Sequence, residues 1–175
     1  MKRISIVVLA AAAAACAIAS RGFTAGGAGD QGSPIYGITI PAGYRQWELI
    51  SIAHEAGDFN DLRAVLGNAV AVKAARDGTL PFPDGAIIAR LAWKHTPSAA
   101  NNKVFGREQS FVAGDATNVQ FMVKDATKYA ATGGWGFAHF NKDGTSGDEA
   151  LLKTCSPCHA KASRDSVFTQ YAPSY

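Results

Sequence analysis

Sulfur and imidazole are scarce in this 175-residue chain: three cysteines, two methionines and four histidines. Beyond the first nineteen residues there is no apolar run long enough to cross a membrane. No internal repeat is present, and neither sign of charge dominates. A disulfide framework is excluded by the cysteine spacing, because Cys155 and Cys158 lie three apart and a bond between them would close almost no loop. A structural zinc site is short of ligands, since four are needed and only His54, His95 or His139 could join the two thiols. A thioredoxin-type dithiol normally opens a helix after a strand in a βαβ unit, and no such pattern surrounds residue 155.

What the sequence does contain begins at the N-terminus, "MKRISIVVLAAAAAACAIAS". Lys2 and Arg3 precede an apolar run, and Ala17-Ile18-Ala19 offers small residues for cleavage before Ser20, the pattern of a secretory signal peptide over residues 1–19. A retained N-terminal anchor is the alternative, but the run is short for one. Cys16 is a candidate lipoprotein cysteine, although Ala13-Ala14-Ala15 lacks the leucine such sites usually carry. Of the 17 Lys and Arg, Lys2 and Arg3 leave with the signal peptide, so 15 basic residues face 14 acidic ones. That balance gives no reason to expect nucleic acid or an anionic membrane as partner. The expectation is a soluble, exported, periplasmic protein: a glycine-rich flexible leader over 20–40, then one domain over 41–175.

The stretch "TCSPCHAK" at Thr154 to Lys161 then has one reading that fits the compartment. The spacing C-x-x-C-H in an exported chain is that of covalent haem attachment. Two thiols add across the haem vinyl groups, and the next histidine becomes the proximal iron ligand. On a helix Cys155, Cys158 and His159 stand at i, i+3 and i+4 and project from one face. Thr154 is the expected N-cap, with Pro157 in the first turn, where a missing N–H costs little.

Elsewhere, "QWELISIA" reads as a strand, and "DLRAVLGNAVAVKAARDG" as extended and then helical from Asn68 to Gly78. A turn at Pro81 to Gly85 leads into a strand over Ala86 to Lys94. "REQSFVAG" and "NVQFMVKD" predict two further strands, "KDATKYAATGG" a short helix stopped by Gly133-Gly134, and "WGFAHF" a last extended piece. "NKDGTSG" is a turn, and "RDSVFTQYA" after the haem helix predicts another helical turn or two. Strands and helices do not alternate regularly, so the expected class is α+β with a mostly antiparallel sheet. The C-x-x-C-H lies near the C-terminus and no methionine follows it, unlike the usual small cytochrome c.

Five stretches together resemble the cytochrome P-460 family, which includes the cytochrome c′-β proteins. They are "YRQW" at Tyr44, "PFPDGAIIARLAWK" at Pro81, "QFMVKDATKYAATGGWGF" at Gln120, "CSPCH" at Cys155 and "DSVFTQYAP" at Asp165. The resemblance covers nearly all of the chain after the signal peptide. It implies a largely antiparallel sheet with flanking helices, a homodimer, and one five-coordinate c-type haem whose distal face is open to small molecules. P-460 members carry a lysine bonded to the haem edge and oxidise hydroxylamine with an outside electron acceptor. The c′-β members lack that bond and bind nitric oxide or carbon monoxide under apolar aromatic residues.

The lysine therefore divides the two readings. Lys94, at the end of "AIIARLAWK", is the first candidate and Lys73 the second, with Lys124 and Lys128 also weighed. Attack on the haem edge needs a neutral, desolvated amine, whereas most lysines are solvated surface charges. Arg45 and Arg90 are candidate donors to a bound N–O group; His54, His95 and His139 are candidate proton acceptors, with His139 favoured by its place in "WGFAHF". Met122 is most simply core, and as a sixth ligand it would make a plain electron carrier. Phe82, Phe121, Trp135, Phe137 and Phe140 either line a haem pocket or fill the core. The enzyme reading places Lys94, Arg45 and His139 in catalysis and a soluble cytochrome as electron acceptor. The alternative is a gas-binding protein without turnover.

Overall fold

The computed structural model describes residues 32–172. The expected signal peptide and Cys16 lie outside them. Of the stretch expected to form a flexible leader, residues 32–40 are described, and Ser33, Tyr36 and Ile38 are buried. They line the free edge of the last strand: Ser33 Oγ donates to the Phe137 carbonyl and Tyr129 Oη to the Tyr36 carbonyl. An apolar Tyr36 and Ile38 thus cover an edge that would otherwise invite pairing with another chain.

Five strands form one antiparallel sheet in chain order: β1 (Glu48–Glu55), β2 (Asp61–Gly67), β3 (Ile87–Pro97), β4 (Phe111–Lys124) and β5 (Trp135–Asn141). Three helices accompany it: α1 (Ala69–Asp77), α2 (Ala99–Phe105) and α3 (Glu149–His159). The α+β expectation is met. Helix α1 begins where the sequence signals it: Asn68 Oδ1 accepts from the Ala71 N–H, and Gly78, at φ 68°, closes the helix in the left-handed region.

Four local expectations are corrected. First, β4 is a single strand where two were expected. Gly114 makes this continuity feasible: a Cβ there would lie 2.1 Å from Thr96 Oγ1, so only glycine lets β4 pass β3, and the register shifts nearby at Trp93/His95. Second, α2 was not expected; Ser98 Oγ accepts from Asn101 N and Gly106, at φ 67°, ends it. Third, the "KDATKYAATGG" stretch is no α-helix but turns closing in a 3-10 segment, Ala130–Thr132. There Asp125 Oδ1 accepts from the N–H groups of Thr127 and Lys128, offering the backbone a turn in place of a helix. Fourth, "RDSVFTQYA" is a turn over 163–166 followed by irregular chain.

The two sheet faces are read from the registers. One face carries Ala89, Leu91, Phe121, Ala138 and Phe140; there Tyr44 packs edge-on to Phe121 at 5.2 Å, and Phe121 lies 6.0 Å from Phe140. The other carries Ile88, Arg90, Gln120, Met122, Lys124, Trp135, Phe137 and His139. Trp135 and Phe140 are fully buried and Phe121 nearly so; each contributes roughly 1.5–3 kcal/mol by leaving water.

Candidate functional site

Helix α3 starts six residues before the expected boundary at Thr154–Cys155. Its N-cap is Asp148, whose carboxylate accepts from the Leu151 N–H at 2.8 Å, and the added turns bury Leu152 completely. Thr154 is therefore interior, its Oγ1 donating to the Leu151 carbonyl, and Pro157 stands in the last turn. The α3 backbone keeps Cys155, Cys158 and His159 on one face. The two thiols are not bonded to each other; Cys155 is half-buried and Cys158 exposed. Burial, and then the neighbouring Cys158, push the Cys155 thiol pKa up. Tyr36 lies close enough to Cys155 that its own pKa is raised by burial first and by that thiol second.

The His159 ring is held on three sides. Phe137 lies 5.0 Å away and Phe168 5.2 Å, both tilted, and Nδ1 is 2.9 Å from the Ser166 carbonyl. A carbonyl can only accept, so Nδ1 carries the proton and Nε2 keeps its lone pair for a metal. Burial lowers the His159 pKa, and the Arg90 charge adds to this against the opposing Ser166 bond. A neutral imidazole is the state a metal requires.

Beside it on the sheet face lie Arg90, Gln120 and His139, cross-strand neighbours in adjacent strands. Gln120 Nε2 donates to His139 Nδ1 at 2.9 Å, which leaves His139 Nε2 protonated and so a donor rather than a proton acceptor. Burial lowers the His139 pKa; a hydrogen bond with Asn141 opposes this, and the Arg90 charge adds a smaller lowering. One Arg90 nitrogen donates to Asn118 Oδ1 at 2.6 Å, while its buried Nε has no acceptor among the described residues. Burial, then repulsion from Arg63, bring the Arg90 pKa down to about 10. An orphaned guanidinium N–H in such a place fits an anionic oxygen, as on a haem carboxylate or an iron-bound ligand.

The candidate residues do not all converge. His139 and Arg90 share the face beside His159. Lys94 is on the same strand face as Arg90 but four residues away, roughly 13 Å along the strand, and is exposed. Arg45 is exposed on the 3-10 segment Tyr44–Gln46 and lines a shallow cavity of about 160 Å³ with Tyr44, Trp93 and Asn118. Lys73 is exposed and paired with Asp77, and Lys128 is exposed over the Tyr129 ring. His54 and His95 stack on each other at 4.1 Å far along the sheet, with Phe111 on the other side of His95. Of the five aromatics, all buried, only Phe137 touches the His159 ring; Met122 is core.

Sequence reading passed over Gln120, Ser166 and Phe168, and it weighed Lys124 only as a flanking residue. One signal was available: in "VQFMVK" Gln120, Met122 and Lys124 alternate with apolar residues, so a polar pair must share one face of a buried strand. Ser166 acts through its backbone, which no side-chain pattern announces.

Two thiols and a metal-ready imidazole on one helix face, against an aromatic and cationic sheet face, define a haem-carrying cytochrome domain built on an antiparallel sheet. The family model for Cytochrome P460 matches residues 41–169, and the chain belongs to that family. Membership makes it a c-type haem cytochrome. No curated protein matches the chain.

Proposed function

We propose that the protein carries one haem, joined covalently through Cys155 and Cys158 and ligated by His159, and that it oxidises hydroxylamine there. The observation that carries the haem ligation is the His159 orientation: Nδ1–H is held by the Ser166 carbonyl at 2.9 Å, which leaves Nε2 with its lone pair. A bound haem supplies one-electron chemistry and a coordination position for a small nitrogen ligand. The chain's own contribution is the donor pair on the sheet face. Arg90 Nε–H and His139 Nε2–H hold the oxygen of an N–O group as negative charge gathers on it. Taken as far as nitric oxide, each hydroxylamine loses three protons to solvent and three electrons, singly, to a soluble acceptor such as a cytochrome. Export to the periplasm belongs to the same reading, supported by residues 1–19. So does a homodimer, supported by the exposed Val104 and Phe105 on α2.

The test is mass spectrometry of a protease digest together with turnover using a soluble one-electron acceptor. Haem mass on the "CSPCH" peptide and hydroxylamine-dependent reduction are expected, with turnover lowered at least tenfold in Arg90→Leu, about 1.4 kcal/mol of barrier. A haem-free peptide overturns the attachment.

A second reading, nitric oxide or carbon monoxide binding without turnover, is favoured by one observation. Lys94 is exposed, and Lys124, the only buried lysine among the described residues, is ion-paired to Asp165. Among the described residues no lysine stands desolvated and unpaired for bonding to a haem edge. A haem peptide that also carries a Lys94 peptide would overturn this second reading; haem without turnover would establish it over the first.

A further inference from the structure

Lys124 is one of the few buried charged residues, and neither reading above gives it a role at the haem. Its Nζ lies 3.0 and 2.9 Å from the two Asp165 carboxylate oxygens and 3.2 Å from the Gly133 carbonyl, with the Trp135 ring 5.1 Å beneath. Asp165 in turn accepts from the Phe82 N–H at 2.8 Å. Asp165 and the residue after it both occupy the left-handed region, at φ 51° and 64°, although neither is glycine. Two successive residues there are strained and persist only when surrounding contacts hold them. The second is Ser166, whose carbonyl meets His159 Nδ1. The pocket around the amine is fitted closely: a Cβ on Gly134, itself at φ 83°, would come within 3.2 Å of Lys124 Nζ.

We propose that Lys124 is a positioning residue for the metal-ligating imidazole: its buried ion pair with Asp165 holds the strained turn that aims the Ser166 carbonyl at His159. This rests on His159 being the haem ligand. A carbonyl held against Nδ1–H draws that proton, makes the ring more electron-rich at Nε2 and so favours ferric over ferrous iron. An ion pair that served stability alone would not reach the iron. An oriented carbonyl does.

The holoprotein tests it, with the midpoint potential and the ferrous iron–histidine stretching frequency as readouts. Lys124→Met leaves a buried carboxylate unpaired and can fail to fold, so the neutral pair Lys124→Met/Asp165→Asn is made beside it. Ile50→Ala, a core truncation in β1, controls for lost stability alone. The expected result is a higher potential and a lower stretching frequency in the Lys124 variants, and neither change in Ile50→Ala. At a fixed applied potential the ferrous-to-ferric ratio should rise several-fold, tenfold corresponding to about 59 mV. A folded, haem-loaded double variant with the wild-type potential and frequency overturns the proposal, as does an equal shift in Ile50→Ala. Wild-type protein whose ferrous spectrum lacks a histidine-ligated haem overturns the haem reading itself, a distinct outcome.

Discussion

Strands β3 and β4 pair from end to end, yet their two halves differ. From Ile87 to Ala92, β3 is buried or half-buried at every residue, opposite Asn118 to Val123 of β4. Beyond the register breaks at Ala92/Trp93 and Trp93/His95, β3 carries the exposed Lys94 and Pro97, and β4 carries the exposed Phe111 and Val112. Over the first half, β4 pairs with β5, which in turn meets α3 and the N-terminal segment. The second projects towards α2, whose residues are mostly exposed. Two lysines on the same sheet face therefore have opposite characters. Lys94 is solvated, while Lys124 is buried against Asp165 and Trp135. Position on a strand is no guide to chemistry until something covers the strand.

Four measurements sharpen or break that contrast. The largest effect is expected from Trp135→Ala, at about 3–5 kcal/mol in urea unfolding, because it empties a site packed against Phe82. Phe111→Ala at the exposed end, where the ring stacks on His95, should cost about 1 kcal/mol; equal losses would mean the outer half is covered in solution. Next comes Lys124→Met, which strands a buried carboxylate and should cost roughly 3–5 kcal/mol, whereas Lys94→Met should leave the unfolding midpoint unchanged. A costly Lys94 variant would place that side chain in a buried environment and revive its role at the haem edge. Third, Gly106→Ala meets open space at φ 67° and should lose about 1 kcal/mol from backbone strain alone. Gly134→Ala adds contact with Ala126 and Lys124 and should lose more.

The smallest effect is pH dependence in protein prepared without haem. Burial and the Arg90 charge hold the His139 pKa below its ordinary 6.5. Above that value both folded and unfolded forms are neutral and the group contributes no slope. As pH falls through it the unfolded chain takes up a proton that the folded protein refuses, so stability declines until the folded pKa is reached. His139→Gln should flatten part of that decline between about pH 7 and pH 5. An unchanged slope would show that His139 is not desolvated by the covered half.

How much of this was legible in the sequence varies element by element. Helix α1 was readable because its signals are local: Asn68 and Gly78 act on backbone groups within a few residues. Helix α3 was located correctly around the haem motif but its start was misread. Thr154 looks like a cap only if one ignores that Leu152 needs a helical turn to reach the core. The two short strands expected across Gly114 were one, since a glycine that ends a strand and a glycine that lets two strands pass look alike without Thr96 opposite. Among the candidate site residues, spacing alone puts Cys155, Cys158 and His159 on one helix face, and Arg90 and His139 came together beside them. Lys94 shares the sheet face of Arg90 but lies in its exposed half, and Arg45 is exposed on its 3-10 segment, because nothing along the chain records where the sheet is covered.

The residues themselves determined that two thiols and an imidazole would share a helix face, since that follows from 3.6 residues per turn. They determined the α+β class as well, through alternation, turn residues and caps that act over short range. Only the tertiary structure decided which lysine is buried, that Asp165 reaches Lys124 across 41 positions, and that the Ser166 carbonyl meets His159. Desolvation and backbone orientation are properties of assembled neighbours, and no single stretch of chain contains them.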